Sequence, residues 1–163
     1  IVIDNGTVTT LAGTGSQGNE DTAPGTSARF YRPQGITTDG TNLYVSDYSN
    51  HRIRKIVIDN GTVTTLAGSS SGSTDNTTGT SASFKKPRGI TTDGTNLYVV
   101  DDNHRIRKIV IDNGTVTTLA GNSSGYNDAT GTSALFDEPF GITTDGTNLY
   151  VADWDNHRIR KIE

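Results

Sequence analysis

The sequence predicts an all-β protein made of repeated four-stranded antiparallel sheets, and three observations predict it. First, the chain repeats itself. Ile-Val-Ile-Asp-Asn-Gly-Thr-Val-Thr-Thr-Leu-Ala-Gly begins at Ile1, Ile56 and Ile109; Gly-Ile-Thr-Thr-Asp-Gly-Thr-Asn-Leu-Tyr-Val begins at Gly35, Gly89 and Gly141; Asn-His-Arg-Ile-Arg-Lys-Ile begins at Asn50, Asn103 and Asn156. Second, the repeated runs are rich in Thr, Val, Ile and Tyr and are punctuated by Asn-Gly and Asp-Gly, the residues of hairpin turns. Third, no apolar pattern of helical period runs for a useful length. The units are residues 1–55, 56–108 and 109–161, with residues 162 and 163 starting a fourth. A repeat of this length is one supersecondary unit that buries its apolar faces only against its neighbours. Residues shared by all units are therefore expected to build the unit, and specificity is expected where the units differ.

Each element has a local reason, seen in the second unit. Residues 89–92 form a short β-rich run closed by Asp93-Gly94-Thr95-Asn96, a hairpin turn. Residues 97–100 make the next strand. A turn at Asp101-Asp102-Asn103 leads into a third strand over 104–111. Asp112-Asn113-Gly114 is the strongest short hairpin signal, since Asn and Gly tolerate positive φ. A fourth strand runs over 115–120, and a loop of about twenty residues crosses to the next unit. Four short antiparallel strands followed by a long crossover describe one blade of a β-propeller, with the first strand nearest the axis and the last outermost.

Leu-Tyr-Val-x-Asp followed by Asn-His-Arg-Ile-Arg-Lys-Ile resembles the NHL repeat, above all its longer bacterial form with Gly-Thr-Val-Thr-Thr-Leu-Ala-Gly and a later Ser-Ala-x-Phe. The resemblance covers essentially the whole chain in all three copies. The second copy departs by having one residue fewer between Asp101 and Asn103. The resemblance implies a propeller, commonly six-bladed, that binds protein or RNA; a minority of relatives are enzymes with a metal at the central channel.

Three blades make no ring, because propellers close with roughly four to eight. The predicted order starts with an outer strand over 7–12 and ends with the inner three strands of a blade. A head-to-tail homodimer supplies the missing neighbour twice, closes six blades and removes exposed sheet edges. The expected fold is thus three four-stranded antiparallel blades per chain in one domain over 1–163, closed into a six-bladed ring by dimerisation. The alternative is a segment cut from a longer propeller.

Composition narrows the function classes. The 163 residues hold no Cys and no Met, 19 Gly and a net charge of −4. Absent cysteine excludes disulfides and thiolate chemistry, and leaves the compartment open. No run approaches the ~20 apolar residues of a membrane span, so no membrane partner is expected. If the chain is natural, a bacterial and extracytoplasmic setting is expected; near-verbatim units and the absent Met equally suit an engineered or recently amplified array. The acidic balance and the lack of a continuous basic stripe argue against nucleic acid.

The shared polar residues read as structural. His51, His104 and His157 sit in different blades, well over ~10 Å apart for strands spaced at ~4.8 Å, whereas zinc requires ligands at ~2.0 Å. Each is expected to pack or hydrogen-bond within its own blade, and no metal or cofactor is expected. Asp47, Asp101 and Asp153 close the second strand, while Arg52, Arg105 and Arg158 begin the third; Asp–Arg pairs across that turn are expected to satisfy buried charge. Identical carboxylates around a ring converge on no single substrate, so no catalytic residue is expected. Asn5, Asn60, Asn76, Asn113 and Asn122 stand in Asn-x-Ser/Thr sequons; three of them are hairpin turns, and nothing else signals glycosylation.

Differences between units fall at one end. The crossovers (14–32, 69–86 and 122–138), the turns Tyr48-Ser49, Asp102 and Trp154-Asp155, and the inner-strand residues Gln34, Arg88 and Phe140 all emerge there. The turns at the opposite end are identical. Loops on a rigid scaffold are where binding residues usually sit, and aromatics and Arg dominate binding hot spots. The candidate ligand-binding set is therefore Gln34, Arg88, Phe140, Tyr48, Trp154, Tyr31 and Tyr126. Lys85, Lys86 and Arg88 against Asp128, Asp137 and Glu138 offer charge pairs between blades. The expected function is a non-catalytic scaffold or a module for a protein, peptide or glycan. The alternatives are a channel-metal enzyme like the lyase and lactonase relatives, or an RNA-binding propeller.

Overall fold

The computed structural model describes residues 6–163, and all its regular structure beyond single 3-10 turns is β. The first sheet holds β1 (Pro33–Thr38), β2 (Asn42–Asp47), β3 (Arg52–Val57) and β4 (Val63–Ala67) in sequence order. The second repeats that order with β5 (Ile90–Thr92), β6 (Asn96–Asp101), β7 (Arg105–Val110) and β8 (Val116–Ala120). The third has β9 (Pro139–Thr144), β10 (Leu149–Asp153) and β11 (Arg158–Ile162), with no fourth strand among the described residues. All ladders within these sheets are antiparallel. The expected strands of the second unit match β5–β8 to within a residue at each end.

Turn chemistry sets the register. Asp39 Oδ1 accepts the N–H groups of Thr41 at 2.8 Å and Asn42 at 2.7 Å, while its Oδ2 accepts the Tyr44 hydroxyl at 2.7 Å. Asp93 and Asp145 repeat this with Tyr98 and Tyr150. Gly40, Gly94 and Gly146 take φ near 90°, which a side chain would strain. Burial opposes the charge of Asp93, but its hydrogen bonds from Asn96, Thr95 and Tyr98 outweigh that and hold the carboxyl at about 2. Desolvation and the same bond push the Tyr98 phenol to about 12.

Period-2 alternation gives each blade a front and a back. The back of the first blade (Tyr44, Ile53, Ala67) packs with Phe84 and Ala82 against Ile90, Leu97, Val99, Ile109 and Val116 on the front of the second. Val100, Ile106 and Ala120 pack likewise on Phe136 and Val151 of the third. The inner strands approach so closely that a Cβ on Gly89 would meet the Phe140 carbonyl at 2.5 Å, and the Gly89 N–H donates to that carbonyl at 3.1 Å.

Residues 8–12 form no sheet ladder, which corrects the outer strand expected over 7–12. A strand needs a hydrogen-bonded neighbour, and no inner strand pairs with this segment among the described residues. The segment is nevertheless held in place. The Gly13 N–H donates to the Gly25 carbonyl at 2.9 Å, as Gly68 does to Gly79 at 3.0 Å and Gly121 to Gly131 at 3.2 Å. The Leu11 carbonyl lies against Gly61 as the Leu66 carbonyl lies against Gly114. The segment thus occupies the place, beside the first blade, of a preceding blade's outer strand.

Candidate functional site

Buried arginines fasten each crossover to the blade that follows it. Arg54 is fully buried; its Nη1 donates to Asp47 Oδ2 at 2.8 Å and to the Arg29 carbonyl at 2.9 Å. Its Nη2 donates to the Glu20 carbonyl at 2.9 Å and to Asp21 Oδ1 at 2.6 Å. Asp21 also accepts the Thr65 N–H from β4 at 2.9 Å. Arg107 repeats the set with Asp101, Asp75 and Thr118, and Arg160 with Asp153 and Asp128. Phe30, Phe84 and Phe136 lie under the three guanidiniums at 5.0, 4.9 and 4.8 Å.

The expected Asp pairs with Arg52, Arg105 and Arg158 are corrected: each carboxylate takes the arginine two residues later. Both arginines share the front face, since Asp47 registers with Arg52 and Val45 with Arg54. The diagonal partner lies within reach of a long side chain, and only there do the crossover carbonyls complete the guanidinium's bonding. Arg52 turns to the Asn19 carbonyl at 3.4 Å, Arg105 to the Ser73 carbonyl at 3.2 Å, and Arg158 to the Asn156 carbonyl at 3.0 Å. The shortened turn of the second blade leaves its pair at 3.3 Å, and desolvation pushes the Asp101 carboxyl up despite Arg107.

The histidines need a second correction. His51 and His104 sit in left-handed turns with φ 59° and bond to the next blade, not their own. His51 Nδ1 accepts the Lys86 N–H at 3.0 Å, and His104 Nδ1 accepts the Glu138 N–H at 3.2 Å. Positive φ in the turn swings each imidazole out of its sheet. Among the described residues no group of three His, Asp or Glu side chains is placed to hold a metal.

At the diversified end, the structure brings Tyr48, Arg88, Phe140 and Trp154 together. Arg88 lies 5.9 Å from the Tyr48 ring and 5.2 Å from the Phe140 ring, and Phe140 meets Trp154 edge to face at 6.1 Å. Arg88 donates to Asp102 at 2.5 Å and to Glu138 at 2.8 Å, so it bridges the second and third blades as the charge pattern suggested. Burial opposes its charge, but Asp102 and then Glu138 outweigh that and push its pKa up. With two carboxylates on it, Arg88 is a positioning cation between aromatics and offers no free anion site.

The other candidates lie elsewhere. Gln34 is exposed and lines a groove of about 290 Å³ with Phe30, Ile36 and Val45 on the front of the first blade. Tyr31 stacks under Arg32 at 5.6 Å. Tyr126 packs under Arg158 at 3.9 Å and donates to Asp128 at 2.6 Å, away from the rim. Sequence reasoning missed the second arginines Arg54, Arg107 and Arg160; it singled out the turn histidines but not the blade they bond to, which the left-handed φ of His51 and His104 decides.

Comparison with known proteins decides the family. The profile of the NHL repeat matches residues 30–56. The chain is an NHL-repeat protein. It is 31% identical to NHL repeat-containing protein 2 of Homo sapiens over 99% of this chain and 25% of that one. It is 30% identical to protein SUPPRESSOR OF QUENCHING 1, chloroplastic, of Arabidopsis thaliana, over 91% of this chain and 16% of that one. The chain therefore spans a quarter or less of these relatives. Among solved structures, an auxiliary nutrient binding protein of Bacteroides ovatus aligns with TM-score 0.65 and 30% identity, covering 76% of this chain and 35% of its own. These NHL repeats form the blades of a β-propeller.

Proposed function

We propose that this chain is a non-catalytic half-propeller that closes head to tail with a second copy into a six-bladed ring, presenting the aromatic rim to a protein, peptide or glycan. One observation carries the reading: residues exposed at the two ends of the blade row are buried or half-buried wherever the repeat has a neighbour. Ile159 is 76% exposed, against 0% for Ile53 and Ile106; Val8 is 92% exposed, against 1% for Val63 and Val116; Ile36 is 60% exposed, against 6% for Ile90 and a half-buried Ile142. Ile159 lies on the back of the third blade and Ile36 on the front of the first, the two surfaces that meet in a ring, and Val8 lies on the N-terminal segment equivalent to the outer strands β4 and β8.

The outer slot of the third blade supports the same reading. Among the described residues Asp128 has its arginine but no outer-strand threonine, and its side chain is 70% exposed, against 39% for Asp21 and 44% for Asp75. By the repeat register, Thr10 of a second copy stands where Thr65 and Thr118 stand. Burying each apolar side chain at the seam contributes about 1.5–3 kcal/mol. The rim favours stacking ligands over phosphate, because Arg88 is already neutralised.

Light scattering coupled to size exclusion across a dilution series tests the reading. A species at twice the 17.3 kDa chain mass that persists on dilution supports closure. A monomer or an open ladder sinks it and assigns the chain to a longer propeller.

A further inference from the structure

Both joints between blades within the chain carry the same polar latch, and its two parts recur in all three units. The acceptor is a histidine in a left-handed turn, with φ 59°, 59° and 54° at His51, His104 and His157. The donor is the N–H of the residue before the inner-strand proline, also left-handed, with φ 55°, 48° and 46° at Arg32, Lys86 and Glu138. Two latches are closed within the chain, His51 to Lys86 and His104 to Glu138. The third pair is present in both halves, Arg32 at one end of the blade row and His157 at the other, and neither half meets its counterpart among the described residues. His157 is exposed and lines a hollow of about 700 Å³ with Phe140, Ala152, Trp154 and Ile159 on the back of the third blade.

We propose that His157 accepts the Arg32 N–H of a second copy, and that this latch makes the seam of the ring open in mild acid. The inference rests on the closure reading above. A histidine that accepts at Nδ1 must be neutral; once protonated, that nitrogen becomes a donor facing a donor.

The surroundings make the seam the weakest joint. His51 faces Lys86 and Asp102 from the second blade, and burial followed by Lys86 holds its pKa below the ordinary histidine value. His104 faces the Asp137 carboxylate at 3.6 Å as well as Glu138, which offsets a positive imidazole. At the seam the matching positions of a second copy are Tyr31, Arg32 and Tyr48-Ser49, with no carboxylate. His157's own blade adds Asp155 and Arg158, of opposite sign. Protonated His157 would thus meet the Arg32 charge with no facing counter-ion. The acidic turn residues hold their protons off well below this range, as Asp93 does at about 2.

The test is the mass of the full chain by light scattering at about pH 8 and about pH 5, either side of the ordinary histidine value. Wild type is expected to be dimeric at the higher pH and to dissociate as pH falls. Losing one hydrogen bond weakens each seam about 10-fold, and a ring with two seams about 100-fold. The key variant is His157→Asn, which keeps an acceptor near the Nδ1 position, tolerates the left-handed turn and does not titrate. It is expected to stay dimeric at both values, whereas His104→Asn leaves the acid response in place. A monomer already at pH 8 overturns closure itself. A wild-type dimer unmoved at pH 5, or a His157→Asn dimer that dissociates like wild type, overturns the latch alone.

Discussion

Arg54 and Asp47 face each other at 2.8 Å with both side chains fully buried. This pair, with its equivalents at Arg107 and Arg160, joins three things that are distant in sequence: the second strand, the third strand and the crossover. The arginine satisfies a carboxylate that would otherwise be stranded, and in return it anchors a long loop that carries the diversified end.

Removing that arginine is therefore expected to cost far more than removing its neighbour. Arg54→Ala strands Asp47 in the interior and is expected to destabilise by about 3–5 kcal/mol. Arg52→Ala loses one 3.4 Å contact to the Asn19 carbonyl and is expected to cost about 0–1 kcal/mol. Urea midpoints of the two variants check this, and equal losses would refute the assignment.

The blades themselves were legible because their signals are local. Asp39-Gly40-Thr41-Asn42 and Asn60-Gly61 encode their turns within a few residues, and alternation along residues 42–57 fixes which face of the sheet each side chain joins. The choice of Arg54 over Arg52 was not legible. Both lie on one face with period 2, and the deciding partners, the carbonyls of Glu20 and Arg29, lie far away in the sequence. The histidine latch hid for a similar reason. Its donor belongs to the next blade, and its direction depends on a backbone dihedral that residue type does not dictate. Of the rim set, Tyr48, Arg88, Phe140 and Trp154 come together because they occupy equivalent or adjoining loop positions. Tyr126 leaves the set because Asp128 and the arginines of β11 draw it to the outer side.

Acid should weaken the fold through the turn carboxylates. Asp93 ionises at about 2 when folded and near the ordinary ~3.9 when unfolded. A depressed carboxyl contributes stability that is fully present above the unfolded value and is lost as pH falls through the folded one. Asp93 is mostly solvent-facing, so screening trims its share to about 1 kcal/mol. Asp93→Asn is expected to lower the melting temperature at neutral pH and to match wild type near pH about 2. A constant difference between the two across that range would contradict the linkage.

Asp101 runs the other way. Its folded carboxyl is raised by burial, so its contribution favours the fold at low pH and fades as pH rises through the folded value. Asp101→Asn keeps the shape and acceptor while removing the desolvated charge. It is expected to cost less at neutral pH than Asp153→Asn, whose carboxylate holds Arg160 at 2.7 Å and also accepts from Asn156 and the Asp137 N–H. Thermal melts of the two variants at neutral pH provide the comparison, and a larger loss at Asp101 would overturn the ranking.

Trp154 is the sole tryptophan and 60% exposed, on the back of the third blade beside His157. Its counterpart Tyr48 is half-buried because Lys86 and Arg88 of the next blade lie over its ring at 5.6 and 5.9 Å. In a closed ring, Arg32 and Gln34 of the second copy take the positions of Lys86 and Arg88. Closure should then shield the indole, so emission is expected to shift to the blue and acrylamide quenching to fall as concentration rises. Ile159→Asp puts a charge at the centre of the same surface without touching the buried faces between blades within the chain. That variant is expected to keep its β-sheet circular dichroism while its emission stays red at every concentration. Emission that ignores concentration in both proteins would place Trp154 outside any seam, and with it the surface on which the ring depends.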